Sequence, residues 1–123
     1  MTVRSLTGRR RYILFEMENH GEPPMGLVVS TIRKEMSRND LDPREMRMRI
    51  MFFEHGYGIV RCLHMYQNRV IEVLNSTSVG GYQVSTFRTS GTLKTLKVWL
   101  REKKGIIVPG KQRGGKADRK SDG

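Results

Sequence analysis

A chain of 123 residues has room for one hydrophobic core, and a hydrophobic fraction of 37% suits one small domain. Twenty-three basic against twelve acidic residues give a net charge of +11, which favours a polyanionic partner and salt-dependent association. A single cysteine excludes an internal disulfide framework, and no apolar run has the length of a transmembrane segment, so we expect a cytoplasmic protein.

The positive charge is concentrated toward the two ends of the sequence. Residues 1–11 carry four arginines and no acid, whereas residues 103–123 carry seven basic and two acidic residues, so the two segments hold +4 and +5. Residues 12–102 hold only the remaining +2. We predict a basic N-terminal arm over 1–10, a nearly balanced domain over 11–104, and a basic, disordered tail over 105–123.

The first half of the domain predicts a strand, a helix and a hairpin. The first strand begins at Arg11, because RYILFEME is apolar at both alternating positions, as in a buried central strand. The pair Pro23-Pro24 precedes a helix over 25–36, whose apolar residues recur at helical spacing. Residues 45–54 alternate as a second strand, and His55-Gly56 predicts a tight turn into a third strand over 57–63.

The second half predicts a helix over 63–74, a fourth strand over 82–89 and a third helix over 93–104. Ser90-Gly91-Thr92 supplies hydroxyl caps for this last helix. The first six elements follow the β-α-β-β-α-β order of ferredoxin-like and RNA-recognition folds. We therefore predict an α/β (α+β) two-layer sandwich of that kind with an additional C-terminal helix.

Strand parity predicts which side chains share each face of the sheet. The face toward the first two helices should hold Ile13, Phe15, Met17, Met48, Ile50, Phe52, Val60 and Cys62. The opposite face should hold Tyr12, Leu14, Glu16, Arg47, Arg49, Tyr57, Ile59 and Arg61.

That opposite face has two interpretations. It could stack RNA bases, since Gly56, Tyr57, Gly58 and Val60 agree with the third-strand signature of RNA-recognition motifs. However, His55, Ile59 and Cys62 depart from that signature. The alternative, which we expect, is that the third helix or a partner protein covers the face, because the stripe of Leu93, Leu96, Trp99 and Leu100 needs an apolar surface.

The sequence offers no catalytic constellation. Its three histidines are scattered, and one cysteine provides no zinc-binding spacing. Asp40 and Asp42 lie beside Pro43 and are typical of a turn. Cys62 alternates with predicted core positions, which indicates a buried thiol rather than a nucleophile. We predict no catalytic residue, no metal ligand and no cofactor bound by this chain.

Three segments resemble one known family. They are RYILFE at 11–16, GIVRC at 58–62, and Ser90-Gly91-Thr92 with its following helix. Together they resemble the archaeal ribonuclease P protein component two, which is shared with a small subunit of the eukaryotic ribonuclease P and MRP particles. The likeness runs from about residue 9 to 104 in the family's order and spacing. The loop NSTSVGG at 75–81 and the tail do not follow the family pattern.

The resemblance implies an RNA-recognition-like fold with an extra helix, and a place in the ribonucleoprotein that removes the 5′ leader of precursor tRNA. There the RNA subunit holds the catalytic magnesium ions and the protein stabilises the RNA fold, so this chain would be a non-catalytic subunit of an endoribonuclease. The implied partners are the ribonuclease P RNA and a TIM-barrel-like protein subunit, with precursor tRNA bound indirectly. Two such protein pairs can form a heterotetramer.

Two other functions stay open at this point. One is a free-standing RNA-binding protein of the RNA-recognition type, and the other is a ferredoxin-like interaction domain with incidental charge.

The resemblance and the charge pattern together give a set of candidate RNA-facing residues. The first set is Arg9, Arg10, Arg11, Arg47, Arg49 and Arg61, and the second is Arg88, Lys94, Lys97, Lys103 and Lys104. Their role would be phosphate contact, which positions RNA without reading its sequence. The alternative for each is a solvated surface charge, and Arg61 could instead pair with Glu16.

Overall fold

The computed structural model describes residues 8–108, which form a mixed α/β fold. The strands are β1 (Arg10–Met17), β2 (Arg49–Glu54), β3 (Tyr57–Leu63), β4 (Ser78–Val79) and β5 (Tyr82–Ser90). The helices are α1 (Met25–Arg38), α2 (Gln67–Asn75) and α3 (Leu93–Lys104), with 3-10 turns at Glu18–His20 and His64–Tyr66. Within these residues no helix is long and apolar enough to cross a membrane.

The five strands form one antiparallel sheet in the order β2-β3-β1-β5-β4. The central strand β1 is buried on both faces, since Ile13, Leu14 and Phe15 have no exposed surface. This burial explains why the strand is apolar at both alternating positions. The α/β class predicted from the sequence is thus confirmed.

Helices α1 and α2 cover one face of the sheet. The α1 helix starts after Pro24, whose carbonyl accepts a hydrogen bond from the Val28 amide (3.0 Å). Val28, Ile32 and Met36 are fully buried, at the i, i+4, i+8 spacing that one helix face requires. They share a core with Phe15 and with the buried residues of α2. Each such side chain contributes about 1.5–3 kcal/mol through burial.

Helix α3 covers the other face. It begins at Thr92, whose hydroxyl accepts a hydrogen bond from the Thr95 amide (3.4 Å). Leu96 and Leu100 are fully buried and form a second core with Leu14 of β1 and other apolar residues of the sheet. We call this cluster the α3 core. The expected cover over this face is therefore present, and the chain's own third helix provides it.

The packed part of the chain continues beyond the end of α3. Gly105 adopts a left-handed conformation (φ 70°), and its amide donates to the Arg101 carbonyl (3.1 Å). The Ile106 amide donates to the Leu100 carbonyl (3.1 Å), which turns the Ile106 side chain into the second core. The predicted domain end at residue 104 thus falls within packed structure. Residues 1–7 of the predicted arm and 109–123 of the predicted tail lie outside the described residues.

The strand predicted over 45–54 begins only at Arg49. Residues 43–47 form a turn, which is closed by a hydrogen bond from the Met48 amide to the Pro43 carbonyl (2.9 Å). Met46 and Met48 are buried on the α1–α2 side and fix this turn. Their alternation with polar residues imitates a strand, although the backbone at Arg47 is left-handed (φ 52°).

The predicted placement of Phe52 beside the first two helices is wrong. A bulge shifts the register between Ile50 and Phe52, so that Ile50 lies opposite Val60 and Phe52 opposite Ile59. One inserted residue reverses the parity of every later side chain. Phe52 consequently packs in the α3 core.

Two further elements differ from the prediction. The helix predicted over 63–74 begins at Gln67, since Leu63 ends β3 and His64–Tyr66 form a 3-10 turn. The strand β4 was not predicted, because it has two residues and no alternation to read. Gly80 and Gly81 join it to β5 with positive φ angles of 58° and 91°, as a two-residue hairpin turn requires.

Candidate nucleic-acid interface

Four arginines gather at one end of the sheet. Arg61 on β3 lies opposite Tyr12 on β1 and opposite Arg49 on β2. Arg10, two residues before Tyr12, shares its face of the sheet. Arg47 completes the group, which we call the arginine cluster (Arg10, Arg47, Arg49 and Arg61), because all three other arginines act electrostatically on Arg61.

Arg61 lies at the centre of the arginine cluster. Its burial lowers the pKa of the guanidinium, and the charges of Arg10, Arg49 and Arg47 lower it further, against an opposing effect of Tyr12. Arginine nevertheless stays charged at any physiological pH. The cluster is therefore a concentration of fixed positive charge with mutual repulsion.

The arginine cluster has no acidic partner within the described residues. The arginine–carboxylate ion pairs of residues 8–108 involve Arg38, Arg69 and Arg101 instead. The Nε atom of Arg61 is shielded from solvent and has no hydrogen-bond acceptor among residues 8–108. The suggested pairing of Arg61 with Glu16 is absent, since Glu16 lies opposite Tyr57, near the other end of β1. A bound anion would offset this uncompensated charge.

The turn before β2 presents Arg47 to solvent. Met46 and Met48 on either side of it are buried, so the residue between them is directed outward. The Leu63 amide donates to the Met46 carbonyl (2.9 Å), which fastens the turn to the end of β3. This bond places Arg47 beside the strand that carries Arg61.

The N-terminal arginines do not act as one group. Arg10 joins the arginine cluster, whereas Arg11 lies on the opposite face, where its Nε donates to Gln67 Oε1 (2.6 Å). Arg9 is exposed, and its carbonyl accepts a hydrogen bond from the His64 amide (2.6 Å). Arg9 therefore borders the cluster end of the sheet, and Arg11 has a partner within the chain.

Two cations of the second set lie over aromatic rings. The guanidinium carbon of Arg88 is 5.1 Å from the centre of the Trp99 ring. The ammonium of Lys104 is 5.7 Å from the Tyr57 ring and 5.9 Å from the Trp99 ring. These contacts hold both cations against the α3 core rather than at the arginine cluster.

The remaining lysines lie on α3. Lys94 and Lys97 line a shallow hollow of about 180 Å³ together with Arg101. Arg101 was not among the predicted RNA-facing residues, although the helical spacing of 94, 97 and 101 places it on the same side of α3. Lys103 is exposed in the last turn, where positive charge favours the helix dipole. The structure thus separates the basic residues into the arginine cluster and an α3 surface.

The face that resembles an RNA-recognition motif is closed. Tyr57 is only 3% exposed, and the Phe87 ring stands edge-on to it at 6.1 Å. Gly58 lies beneath the Phe15 ring, on the α1–α2 face. Stacking of bases on Tyr57 would require α3 to leave the sheet, so phosphate contact is the chemistry that the exposed basic residues can perform.

Other reactive groups are few in the described part of the chain. Residues 8–108 contain no group of three His, Cys, Asp or Glu side chains arranged to hold a metal ion. Cys62 is fully buried, and burial raises the pKa of its thiol to about 11, against an opposing effect of Arg11. A thiol in this state is a poor nucleophile.

No protein-family model matches the chain, and no curated protein matches its sequence.

Proposed function

We propose that this chain is a non-catalytic protein subunit of ribonuclease P, the ribonucleoprotein that removes the 5′ leader of precursor tRNA. The observation that carries the proposal is the arginine cluster, in which a partly buried Arg61 lies among three other arginines without a carboxylate partner in residues 8–108. A folded RNA supplies the dense phosphate charge that such a cluster needs.

The fold supports this proposal. The order β2-β3-β1-β5, with α1 and α2 on one face, supports the ferredoxin-like or RNA-recognition arrangement that the proposal assumes. The segments RYILFE and GIVRC, which resemble the ribonuclease P family, lie on the adjacent strands β1 and β3. Ser90-Gly91-Thr92 connects β5 to α3, the extra helix that the resemblance implies.

In the proposed particle this chain supplies positive charge, while the RNA subunit holds the catalytic magnesium ions. Guanidinium groups at the sheet end would contact phosphates of closely approaching RNA segments and reduce their repulsion. The chain would then lower the magnesium concentration that the RNA needs in order to fold. A TIM-barrel-like protein subunit would be its protein partner, and a cytoplasmic particle containing two such pairs fits the same assignment.

Reconstitution of precursor-tRNA cleavage tests this function directly. The catalytic RNA and its partner protein are assayed with and without this chain over a magnesium titration. The proposal expects cleavage at lower magnesium when the chain is present. If the chain never lowers the magnesium requirement, the ribonuclease P assignment fails.

A charge-matched pair of variants tests the interface itself. Replacing Arg10, Arg47 and Arg49 together by Gln should weaken binding to the catalytic RNA and flatten its salt dependence by roughly 2–3 in log–log slope. The control replaces Arg33, Lys34 and Arg38 by Gln. These are three exposed cations of α1, so the control removes the same net charge. Equal losses in the two variants would show that net charge, rather than the arginine cluster, binds the RNA.

The alternative of a free-standing RNA-recognition protein makes a different prediction. Short single-stranded oligonucleotides would then quench Tyr57 and displace α3. Tight binding of such oligonucleotides without the partner protein would favour that function.

A further inference from the structure

A cleft opens at the end of the sheet opposite to the arginine cluster. It has a volume of about 410 Å³ and is lined by His20, His55, Tyr57, Lys104, Gly105 and Ile106. Tyr57 begins β3 and Arg61 lies four residues further along the same strand, so the two regions are separate. The volume falls within the range of about 300–1,000 Å³ that is typical of small-ligand sites.

The two histidines are held in fixed, unfavourable backbone conformations. His20 and His55 both have left-handed φ angles (56° and 55°), which cost non-glycine residues roughly 1 kcal/mol or more each. Their loops are packed backbone to backbone, since a Cβ atom at Gly56 would lie 2.8 Å from the His20 Cα. The Met17 amide also donates to the Gly56 carbonyl (2.8 Å). Strain of this kind concentrates at functional sites.

The third polar group of the cleft comes from α3. The Lys104 ammonium lies above the Tyr57 ring, and the His20 ring lies 5.7 Å from the same ring. One aromatic side chain therefore brings a lysine and a histidine to the same cleft. Both are exposed, so their N–H groups are available to a ligand.

The acids near the cleft lie outside its lining. Glu54 Oε1 is 3.9 Å from His55 Nε2 and competes for that imidazole. Glu16 and Glu18 border a neighbouring hollow, which His20 also borders. The polar side chains of the lining are those of His20, His55, Tyr57 and Lys104, with no carboxylate among them.

We propose that this cleft binds a phosphate group through His20, His55 and Lys104. An ammonium and two imidazoles at one concave surface are suited to the oxygens of a phosphate ester. The phosphate could belong to a free nucleotide or to the 5′ end of an RNA strand. This inference does not depend on the proposed function, because the cleft shares no residue with the arginine cluster.

Imidazole NMR signals of the full chain test the proposal. Inorganic phosphate, adenosine monophosphate, and a short RNA oligonucleotide with either a 5′-phosphate or a 5′-hydroxyl are titrated separately. The proposal expects saturable shifts of the His20 and His55 signals with inorganic phosphate, with adenosine monophosphate and with the 5′-phosphorylated oligonucleotide. His64, which follows β3 at the arginine end, reports separately on phosphate bound at the arginine cluster. Tighter binding of the 5′-phosphorylated oligonucleotide than of the mononucleotide identifies an RNA end as the source, and equal binding identifies a free ligand.

Single substitutions locate the binding. Lys104→Gln and His55→Gln should each weaken phosphate binding about tenfold, the loss expected for a charged hydrogen bond. Glu54→Gln should strengthen it, because the competing carboxylate is removed. Arg33→Gln, at an exposed position of α1, should leave the His20 and His55 shifts unchanged. Far-ultraviolet circular dichroism verifies that each variant is folded.

An absence of saturable His20 and His55 shifts overturns the proposal, as does an unchanged titration midpoint in Lys104→Gln or a loss of the shifts in Arg33→Gln.

Discussion

Arg49 on β2 and Arg61 on β3 are directly opposed in the antiparallel register, so two like charges face each other at the edge of the sheet. Opposed like charges destabilise a strand pair. Neither guanidinium has a carboxylate partner in residues 8–108, so the chain itself does not offset the repulsion. A surface of this kind exchanges stability of the free protein for affinity toward an anion.

The first prediction concerns this opposed pair. Arg49→Gln should raise the free energy of unfolding by about 0.2–1 kcal/mol, because it removes one of the like charges. The same variant should bind the catalytic RNA more weakly, with a salt slope less steep by roughly 0.9. Urea unfolding and filter binding at several salt concentrations measure the two effects.

The control for this prediction is Arg33→Gln, which removes an exposed charge of α1. It should change neither quantity. A less stable Arg49→Gln protein would show that Arg49 is held by contacts other than charge, and an unchanged slope would place it outside the RNA interface.

The order of the main elements was predictable because the spacing of apolar residues differs between helices and strands. The face of α1 follows helical spacing, and Thr92 marks the start of α3 where the hydroxyl residues predicted it. The apolar β1 segment predicted a central strand, which the sheet order confirms. These features arise from burial of a regular apolar stripe or strand. The spacing of the buried residues is visible in the sequence itself.

The features that the sequence did not predict arise from single tertiary contacts. The bulge in β2 has no sequence signature of its own, yet it moves Phe52 to the other face. Met46 and Met48 alternate like strand residues although they anchor a turn. The separation of Arg10 from Arg11 follows from strand parity, but the bond that holds Arg11 to Gln67 depends on where α2 begins. Such contacts are set by packing between distant segments.

The second prediction concerns the pH dependence of stability. Burial raises the pKa of the Cys62 thiol to about 11 in the folded chain, above its usual value of 9.0. The folded state therefore disfavours the thiolate. The resulting stability is fully present below pH 9 and is lost as the pH rises toward 11, by up to roughly 2–3 kcal/mol. Urea unfolding at several pH values measures this loss.

Cys62→Ala isolates the contribution of the thiol. The variant is less stable at neutral pH because the core loses a sulfur atom, but its stability should fall less between pH 9 and 11 than that of the parent. Parallel losses in both proteins would attribute the decline to other groups. The native thiol should also react slowly with alkylating reagents until the protein unfolds.

The third prediction concerns the chain after α3. Ile106 is 7% exposed and packs in the α3 core, whereas its neighbour Ile107 is 67% exposed. Ile106→Ala should lower the free energy of unfolding by about 2 kcal/mol or more through lost burial and a residual cavity. Ile107→Ala, the matched control, should have almost no effect. Equal stabilities of the two variants would contradict the packing of Ile106 on α3.

The fourth prediction concerns Gly58, whose position agrees with the RNA-recognition signature. The Phe15 ring from β1 lies over it, and a Cβ atom added at Gly58 would be 2.2 Å from Phe15 Cζ. The Phe53 ring from the opposite neighbouring strand stacks on Phe15 with a 6.2 Å centroid separation. Because rings from both flanking strands meet here, even a methyl group would force them apart.

Gly58→Ala should therefore lower the free energy of unfolding by about 1–3 kcal/mol, the usual effect of overpacking a core. Gly26→Ala is the contrasting control, since Gly26 lies in α1 with nothing within 4 Å of its added Cβ. That substitution should raise stability by about 0.5–1 kcal/mol through helix propensity. If Gly58→Ala folds with full stability but binds RNA poorly, the glycine serves close approach of a ligand rather than packing of Phe15.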